Sequence, residues 1–168
     1  MSQAEIRIVT LDDFDAYWAL RLRALKEEPE SFGSSYEEAV TRPRADVEKM
    51  IVGPGGGFVL GAFAPELVGV VGMFCAQGPK EKHKGGIWGM YVAPDFRGQG
   101  LGRALMTRAI AQARSVALIE ELRLSVVTTN ESAYKLYLSL GFTEYGVEPR
   151  ALKLGGKYLD EYMMVLRL

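Results

Sequence analysis

The residues with the clearest chemical potential lie in the segment from Trp88 to Arg103. Its sequence reads W-G-M-Y-V-A-P-D-F-R-G-Q-G-L-G-R, which indicates an apolar strand, a loop and the start of a helix. Helix starts usually carry Ser, Thr, Asp or Asn, whose side chains satisfy the first backbone N–H groups. This chain has Gly98, Gln99 and Gly100 at those positions. The first N–H groups are therefore predicted to stay open, and the glycines have no Cβ to block a ligand.

Two arginines flank this helix start. Arg97 and Arg103 stand near the positive end of the helix dipole, where a cation is disfavoured by up to about 1 kcal/mol. A bound phosphate or pyrophosphate would explain the open N–H groups and both cations together. The loop is not a P-loop, because that motif needs Gly-Lys-Ser/Thr. It is not a dinucleotide-binding loop either, because that motif, G-x-G-x-x-G, needs a third glycine. A motif that begins at Gly98 has Arg103 at this position, and one that begins at Gly100 has Leu105. A glycine loop that only turns a corner is the structural alternative.

The composition favours a globular protein with a local anion site over a general polyanion binder. The chain has 168 residues, 20 Lys and Arg against 21 Asp and Glu, and 48% hydrophobic residues. This length predicts one domain, 1–168, and the near-zero charge argues against a protein that coats nucleic acid. Cys75 and His83 are the single residues of their types, so neither a disulfide nor a metal site is expected. We also expect no signal peptide and no membrane span, and hence a cytoplasmic location.

The elements around the loop are predicted to form a mixed α/β sheet, antiparallel at its start and parallel in the middle. Predicted strands are 6–9, 58–64, 67–77, 86–92, 122–127 and two more after residue 142; predicted helices open at Thr10 and Ser35 and cover 46–52, 100–114 and 131–140. The glycine loop then follows a central strand directly, which places the anion site at the end of that strand.

Two motifs in this chain resemble those of one family. Arg97-Gly98-Gln99-Gly100-Leu101-Gly102 resembles the acetyl-CoA pyrophosphate loop, Arg/Gln-x-x-Gly-x-Gly/Ala, of the GNAT superfamily of N-acetyltransferases. The second motif follows in the expected order with Asn130, Ala133, Tyr137 and Gly141-Phe142. The close resemblance covers residues 86–142, and the segment 158–164 is similar to the family's last strand. The first part of the chain matches in layout only.

The resemblance implies a GNAT-like single domain whose central parallel strands splay apart between flanking helices. Acetyl-CoA, as co-substrate, would lie between strands 86–92 and 122–127, with its pantetheine arm along the first of them. The pyrophosphate would be held by backbone N–H groups and by arginine side chains. The cofactor-binding residues expected on this basis are Met90, Tyr91, Val92, Arg97, Gly98, Gln99, Gly100, Leu101, Gly102, Arg103 and Asn130.

The resemblance also implies that Tyr137 is the catalytic acid that protonates the leaving thiolate. Tyr137 stands seven residues after Asn130, which is two helical turns, so both lie on one side of the helix. Transfer from a phenol of pKa near 10 to a thiol of pKa near 8.5 is uphill by roughly 2 kcal/mol. A hydrogen bond that strengthens during the reaction would already help. The alternatives are that Asn130 only caps the helix and that Tyr137 only packs in the core. Tyr134, one turn earlier on the same helix, is a second tyrosine to which the resemblance assigns no role.

The implied reaction is direct attack of a primary amine on the thioester in a ternary complex. No covalent intermediate is needed, and Cys75 lies in an apolar strand where a core position is expected. A backbone N–H near Val92 is expected to stabilise the oxyanion. His83 lies on a polar loop and is a weak candidate for the base. The other candidates stay open: Glu37, Glu38, Asp160 and Glu161.

The acceptor is the least determined partner. Five acids without an intervening Lys or Arg, at positions 27, 28, 30, 37 and 38, favour a cationic amine acceptor, although a solvated polar face is equally consistent. No nucleic acid or membrane partner is expected, and a homodimer is left open. Two other classes of function also stay open, a non-catalytic acyl-CoA-binding sensor or interaction domain and a nucleotide-binding module.

Overall fold

The computed structural model describes residues 4–168. Its strands are β1 (Glu5–Ile8), β2 (Phe58–Phe63), β3 (Leu67–Cys75), β4 (Lys84–Val92), β5 (Glu121–Val127), β6 (Thr143–Leu154) and β7 (Lys157–Arg167). Its helices are α1 (Phe14–Glu27), α2 (Tyr36–Ala39), α3 (Arg44–Val52), α4 (Leu101–Arg114) and α5 (Glu131–Ser139). Over this range, no helix has both the length and the apolar character that a membrane span requires.

All seven strands form one sheet in the order β1-β2-β3-β4-β5-β7-β6. Every neighbouring pair is antiparallel except β4 and β5, which run parallel in the middle. The prediction of a mixed α/β sheet with this arrangement is confirmed. The last strand, β7, lies between β5 and β6, so the C-terminal hairpin extends the sheet beyond the parallel pair.

The two parallel strands stay together over only part of their length. Lys84–Gly86 pairs with Glu121–Arg123, and no pairing between β4 and β5 continues beyond these residues in the described chain. Further along β4, its register against β3 shifts between Val70 and Gly72. Gly89 lies in this stretch with a φ of 64°, a left-handed conformation that glycine adopts without a steric penalty. The irregularity bends β4, as bulges do, and a gap opens between the carboxyl ends of β4 and β5.

Helices cover both faces of the sheet and fix the edges of this gap. On one face α4 and α5 pack on a core that includes Leu105, Met106 and Phe142. On the other face α1 and α3 pack on a second core that includes Tyr17 and Val47. The loop that leads from β4 into α4 therefore stands at the mouth of the gap, and α1 and the segment after it close the opposite side.

Candidate active site

The gap between β4 and β5 is a cleft of about 500 Å³. Residues 87–92 and 124–127 form its two strand walls, the glycine loop forms one end, and α5 contributes Asn130, Ala133 and Tyr137. Of the twelve site residues predicted from the sequence, eleven line this one cleft. The exception is Gln99, whose exposed side chain donates a weak hydrogen bond to the Asp95 carbonyl at 3.4 Å.

The loop before α4 is an open set of hydrogen-bond donors. Gly98 and Gly100 have φ values of 72° and 79°, and no side chain caps the helix. The first backbone bond of α4 runs from the Ala104 N–H to the Gly100 carbonyl at 3.0 Å. Within residues 4–168 no protein group accepts a hydrogen bond from the N–H groups of 98–103. A Cβ added at Gly98 or Gly100 would meet nothing within 4 Å, so the space in front of these donors suits an anion.

The two arginines at the loop differ in whether an acid neutralises their charge. Arg103 donates to the Ser139 hydroxyl at 2.7 Å and has no acidic partner among the described residues. Arg97 donates through Nε to the Val92 carbonyl at 2.8 Å and through Nη2 to the carboxylate of Glu28. The charge of Arg97 is therefore already compensated in part, while the charge of Arg103 is available to an anion. Glu28 stands 69 residues from Arg97, and no local pattern in the sequence indicated this pair.

The backbone of β4 presents alternate residues to the cleft. The Ala93 N–H donates to the Val68 carbonyl at 2.8 Å, and Tyr91 pairs with Val70, so these two residues face β3. Because hydrogen-bonding direction alternates along a strand, Met90 and Val92 direct their backbone groups toward the cleft. The Val92 carbonyl already accepts from Arg97, which leaves its N–H as the polar group turned to the cleft.

Tyr91 lines the cleft, but its polar groups are used elsewhere. Its side chain is buried, and its hydroxyl donates to the Glu27 carboxylate at 2.6 Å. Burial, together with this bond, raises the pKa of Tyr91 to about 12. The side chain of Tyr91 thus anchors β4 to the end of α1, and the role of Tyr91 in cofactor binding stays a prediction.

Tyr137 and Asn130 lie on the cleft side of α5, as their spacing predicted. The Tyr137 side chain is 6% exposed, and burial raises the pKa of its hydroxyl to about 12. Its hydroxyl bonds to no protein group in the described part of the chain, and its ring packs on Phe142 with centroids 6.0 Å apart. Asn130 caps α5 by accepting from the Ala133 N–H at 3.1 Å, which leaves its amide NH₂ free to donate.

Among the four acids considered as bases, Glu161 is the one connected to the cleft. It lies on β7 directly opposite Val127 of β5, and Val127 lines the cleft. Burial raises the pKa of the Glu161 carboxyl above its usual range, and nearby Glu148 acts in the same direction. Asp160 instead accepts from the Arg150 N–H at 2.8 Å.

Most of the five acids at positions 27–38 are paired with cations. Four of them form ion pairs, namely Glu27 with Arg23, Glu28 with Arg97, Glu30 with Lys157 and Glu38 with Arg42, whereas Glu37 forms none among the described residues. The argument for a cationic acceptor depended on these charges being unpaired. The pairing lowers the net potential that these acids present to a ligand, and the cationic acceptor stays a prediction.

Comparison with known proteins finds relatives that are named acetyltransferases. Mycothiol acetyltransferase of Thermobispora bispora is 34% identical over 139 residues, which are 81% of this chain but 45% of that protein, so the chain spans less than half of it. The L-amino acid N-acetyltransferase AaaT of Escherichia coli is 23% identical over 164 residues, 98% of each chain.

Solved structures show the same architecture. A GNAT-family acetyltransferase from Streptococcus pneumoniae superposes with a TM-score of 0.82 at 23% identity over 99% of this chain and 100% of that one. The protein yncA from Salmonella typhimurium, solved with its cofactor acetyl-CoA, has a TM-score of 0.84 at 24% identity over 99% and 95% of the two chains. The model of the acetyltransferase (GNAT) family matches residues 19–142, more than half of the sequence, and the chain therefore belongs to that family.

Proposed function

We propose that this protein transfers the acetyl group of acetyl-CoA to a primary amine by direct attack in a ternary complex. One observation carries the proposal: the same cleft holds an open set of backbone donors at one end and a buried phenol without a partner along its wall. The first feature suits a pyrophosphate, and the second suits an atom that becomes negative during a reaction. When bound, acetyl-CoA supplies an activated acyl group and a thiolate leaving group.

The residues that would hold the co-substrate follow from the free polar groups. The N–H groups of 98–103 and the Arg103 guanidinium face the position expected for the pyrophosphate. The N–H of Val92 and the backbone of Met90 line the strand wall, and the Asn130 amide faces them from α5. Gln99 contributes its backbone N–H alone, because its side chain lies outside the cleft.

The chemical roles follow from pKa values and position. Tyr137, with a pKa of about 12, stays protonated at neutral pH, so it acts as a donor. Full proton transfer to a thiol of pKa near 8.5 would cost about 5 kcal/mol, so Tyr137 stabilises the developing thiolate mainly through a hydrogen bond. The Val92 N–H stabilises the oxyanion. We assign proton removal from the amine to Glu161, whose raised pKa makes it a better base.

A domain that only binds acyl-CoA is the alternative. It would need the donor loop, but it would have no use for a phenol hydroxyl that lines the cleft without a protein partner. Tyr137 therefore favours the enzyme.

A thermal-shift titration combined with an amine panel tests the proposal. Acetyl-CoA at about 100 times its Kd should stabilise the protein by about 2.7 kcal/mol, which is about 5–10 °C in Tm at this chain length. ATP and NAD at equal concentration should give smaller shifts. Release of free thiol should require both acetyl-CoA and an amine. Stabilisation by acetyl-CoA without thiol release for any amine would support the non-catalytic binding domain. If acetyl-CoA does not stabilise the protein, both the acetyltransferase and the acyl-CoA-binding domain are rejected.

A further inference from the structure

The structure contains one buried charged side chain within residues 4–168, Arg21 on α1. Arg21 is 7% exposed, it forms no ion pair in the described chain, and its Nη1 is buried without a hydrogen-bond partner. An isolated buried cation is strongly disfavoured unless an anion compensates it. Burial lowers the pKa of the Arg21 guanidinium, the direction expected for a cation that has lost its solvation.

Aromatic packing compensates this charge only in part. The guanidinium carbon lies 4.8 Å from the ring centroid of Phe32 and 5.9 Å from that of Trp88, within the range of cation–π attraction. Rings accept no in-plane hydrogen bond from the guanidinium edge, so the N–H donors at Nη1 remain unsatisfied. A purely structural arginine would be expected to bond its donors to backbone carbonyls or to an acid.

The unsatisfied edge of Arg21 lies behind the wall of the active-site cleft. Phe32, Trp88 and Gly89 all line that cleft. Nη1 lies 3.6 Å from the place that a Cβ on Gly89 would take, and no other heavy atom outside the neighbouring residues comes within 4 Å of that place. Gly89 therefore places no side chain between the guanidinium and the cleft, although Nη1 itself is buried in this structure.

A second donor on the same helix face strengthens the argument. The Tyr17 hydroxyl, one turn before Arg21, is the other buried side-chain polar atom without a partner in the described residues. Burial raises the pKa of Tyr17 to about 12, so it stays neutral and able to donate. The two acids at the C-terminal end of α1, Glu27 and Glu28, are bonded to Tyr91 and Arg97. This face of α1 therefore has donors and positive charge but no acceptor.

We propose that Arg21 binds the carboxylate of the acceptor, and that the acceptor is an aminocarboxylate, of which an α-amino acid is the simplest. A guanidinium edge matches the two oxygens of a carboxylate better than any other common group. Gly89 precedes Met90 on β4, and neighbouring strand residues are about 3.3 Å apart, so an amine two bonds from the carboxylate stays close to the reacting end of the cleft. The inference rests on the proposed acetyl transfer for its catalytic part.

Arg21→Met tests the proposal, because methionine keeps the length and apolar character but removes the charge and the donors. The substrates are the twenty common L-amino acids, each paired with its carboxamide. For wild type we expect at least one amino acid to be acetylated and its carboxamide to react about 10- to 100-fold more slowly in kcat/KM. In Arg21→Met the KM for that amino acid should rise by a similar factor, its preference over the carboxamide should disappear, and the Kd of acetyl-CoA should not change. Arg23→Met, at an exposed arginine of the same helix, should leave all three values unchanged.

Two further measurements distinguish a structural role of Arg21 from a binding role, and a failure of this proposal from a failure of the proposed acetyl transfer. The Tm of ligand-free Arg21→Met should equal or exceed that of wild type, because an uncompensated charge is removed, whereas a structural arginine would lower Tm on removal. Thermal stabilisation of wild type by the same amino acids, measured without acetyl-CoA, tests binding even if no amine is acetylated and the proposed function fails. The proposal is overturned if no amino acid stabilises or reacts with wild type, if carboxamides or simple amines serve equally well, or if Arg21→Met keeps the preference.

Discussion

Tyr137→Phe separates the chemical role of Tyr137 from its packing role. The substitution removes one hydroxyl that has no protein partner and leaves the ring on Phe142 in place. A hydrogen bond from a neutral donor to a developing thiolate contributes about 1.5–3 kcal/mol. The kcat should therefore fall about 10- to 150-fold, while the KM for acetyl-CoA should change little, because the bond strengthens mainly in the transition state.

The pKa of Tyr137 makes the expected pH dependence specific. Since burial raises the pKa to about 12, deprotonation of Tyr137 cannot reduce the rate between pH 7 and 10. The alkaline part of the wild-type kcat profile should therefore be flat with respect to this residue, and Tyr137→Phe should lower the profile without changing its shape. Protein stability should change little, since the lost hydroxyl lines the cleft and bonds to no protein group.

Tyr134→Phe is the matched control, because it removes a hydroxyl from the same helix that bonds to Glu144 at 3.1 Å outside the cleft. Its kcat should equal that of wild type. The reasoning would be refuted by a Tyr137→Phe enzyme whose kcat lies within twofold of wild type, or by an equal loss in both variants. A fall of the wild-type kcat near pH 10 that is absent from Tyr137→Phe would show that burial does not raise the pKa of Tyr137 to about 12.

Three further predictions concern charged residues. Arg103→Ala should raise the Kd of acetyl-CoA about tenfold in calorimetry with kcat unchanged, because a charge-assisted contact is lost; an unaltered Kd would exclude Arg103 from the anion site. Glu161→Gln should remove the loss of kcat/KM that acidification causes in wild type, since the raised pKa makes the carboxylate protonate at higher pH than usual; an acid limb that persists would reject the assignment. Asp13→Asn should lower the free energy of unfolding by about 1–2 kcal/mol at pH 7, because the bond to Arg7 lowers the pKa of Asp13 to about 2. Wild type loses this stability as the pH falls from 4 to 2 and Asp13 becomes protonated. Denaturant titrations of variant and wild type should therefore converge in that pH range.

The elements that could be predicted from the sequence are those with local signals. Ser35 was expected to begin a helix, and its side chain accepts the Glu38 N–H at 3.1 Å. Gly141 was expected to end α5, and it has a φ of 97°. Both features depend on a few consecutive residues, so no tertiary information was needed. The glycine loop belongs to the same class, because absent caps are visible in the sequence itself.

Helix α1 shows where local reasoning fails. The helical spacing of Phe14, Trp18, Leu22 and Leu25 predicts one buried face through these residues. The structure instead buries Tyr17, Leu20, Arg21 and Ala24 beside Phe14 and Leu25. A charged residue is excluded from a predicted core by default, so the side chain that we assign to the acceptor could not be found by hydrophobic patterning.

What a charged side chain can do in this protein depends on whether another charge neutralises it, and not on how many charged residues the chain contains. Arg97, Arg103 and Arg21 all lie near the cleft, and the sequence gives each the same charge. Arg97 is compensated by Glu28, a residue brought to it only by the fold, and Arg97 in turn holds the Val92 carbonyl. Arg103 and Arg21 have no acid partner among the described residues. One is exposed at the donor loop and the other is buried behind Gly89, so two sites of unsatisfied positive charge flank the gap between β4 and β5. The pyrophosphate and carboxylate contacts that we propose would each use one of these two unpaired arginines of a near-neutral chain.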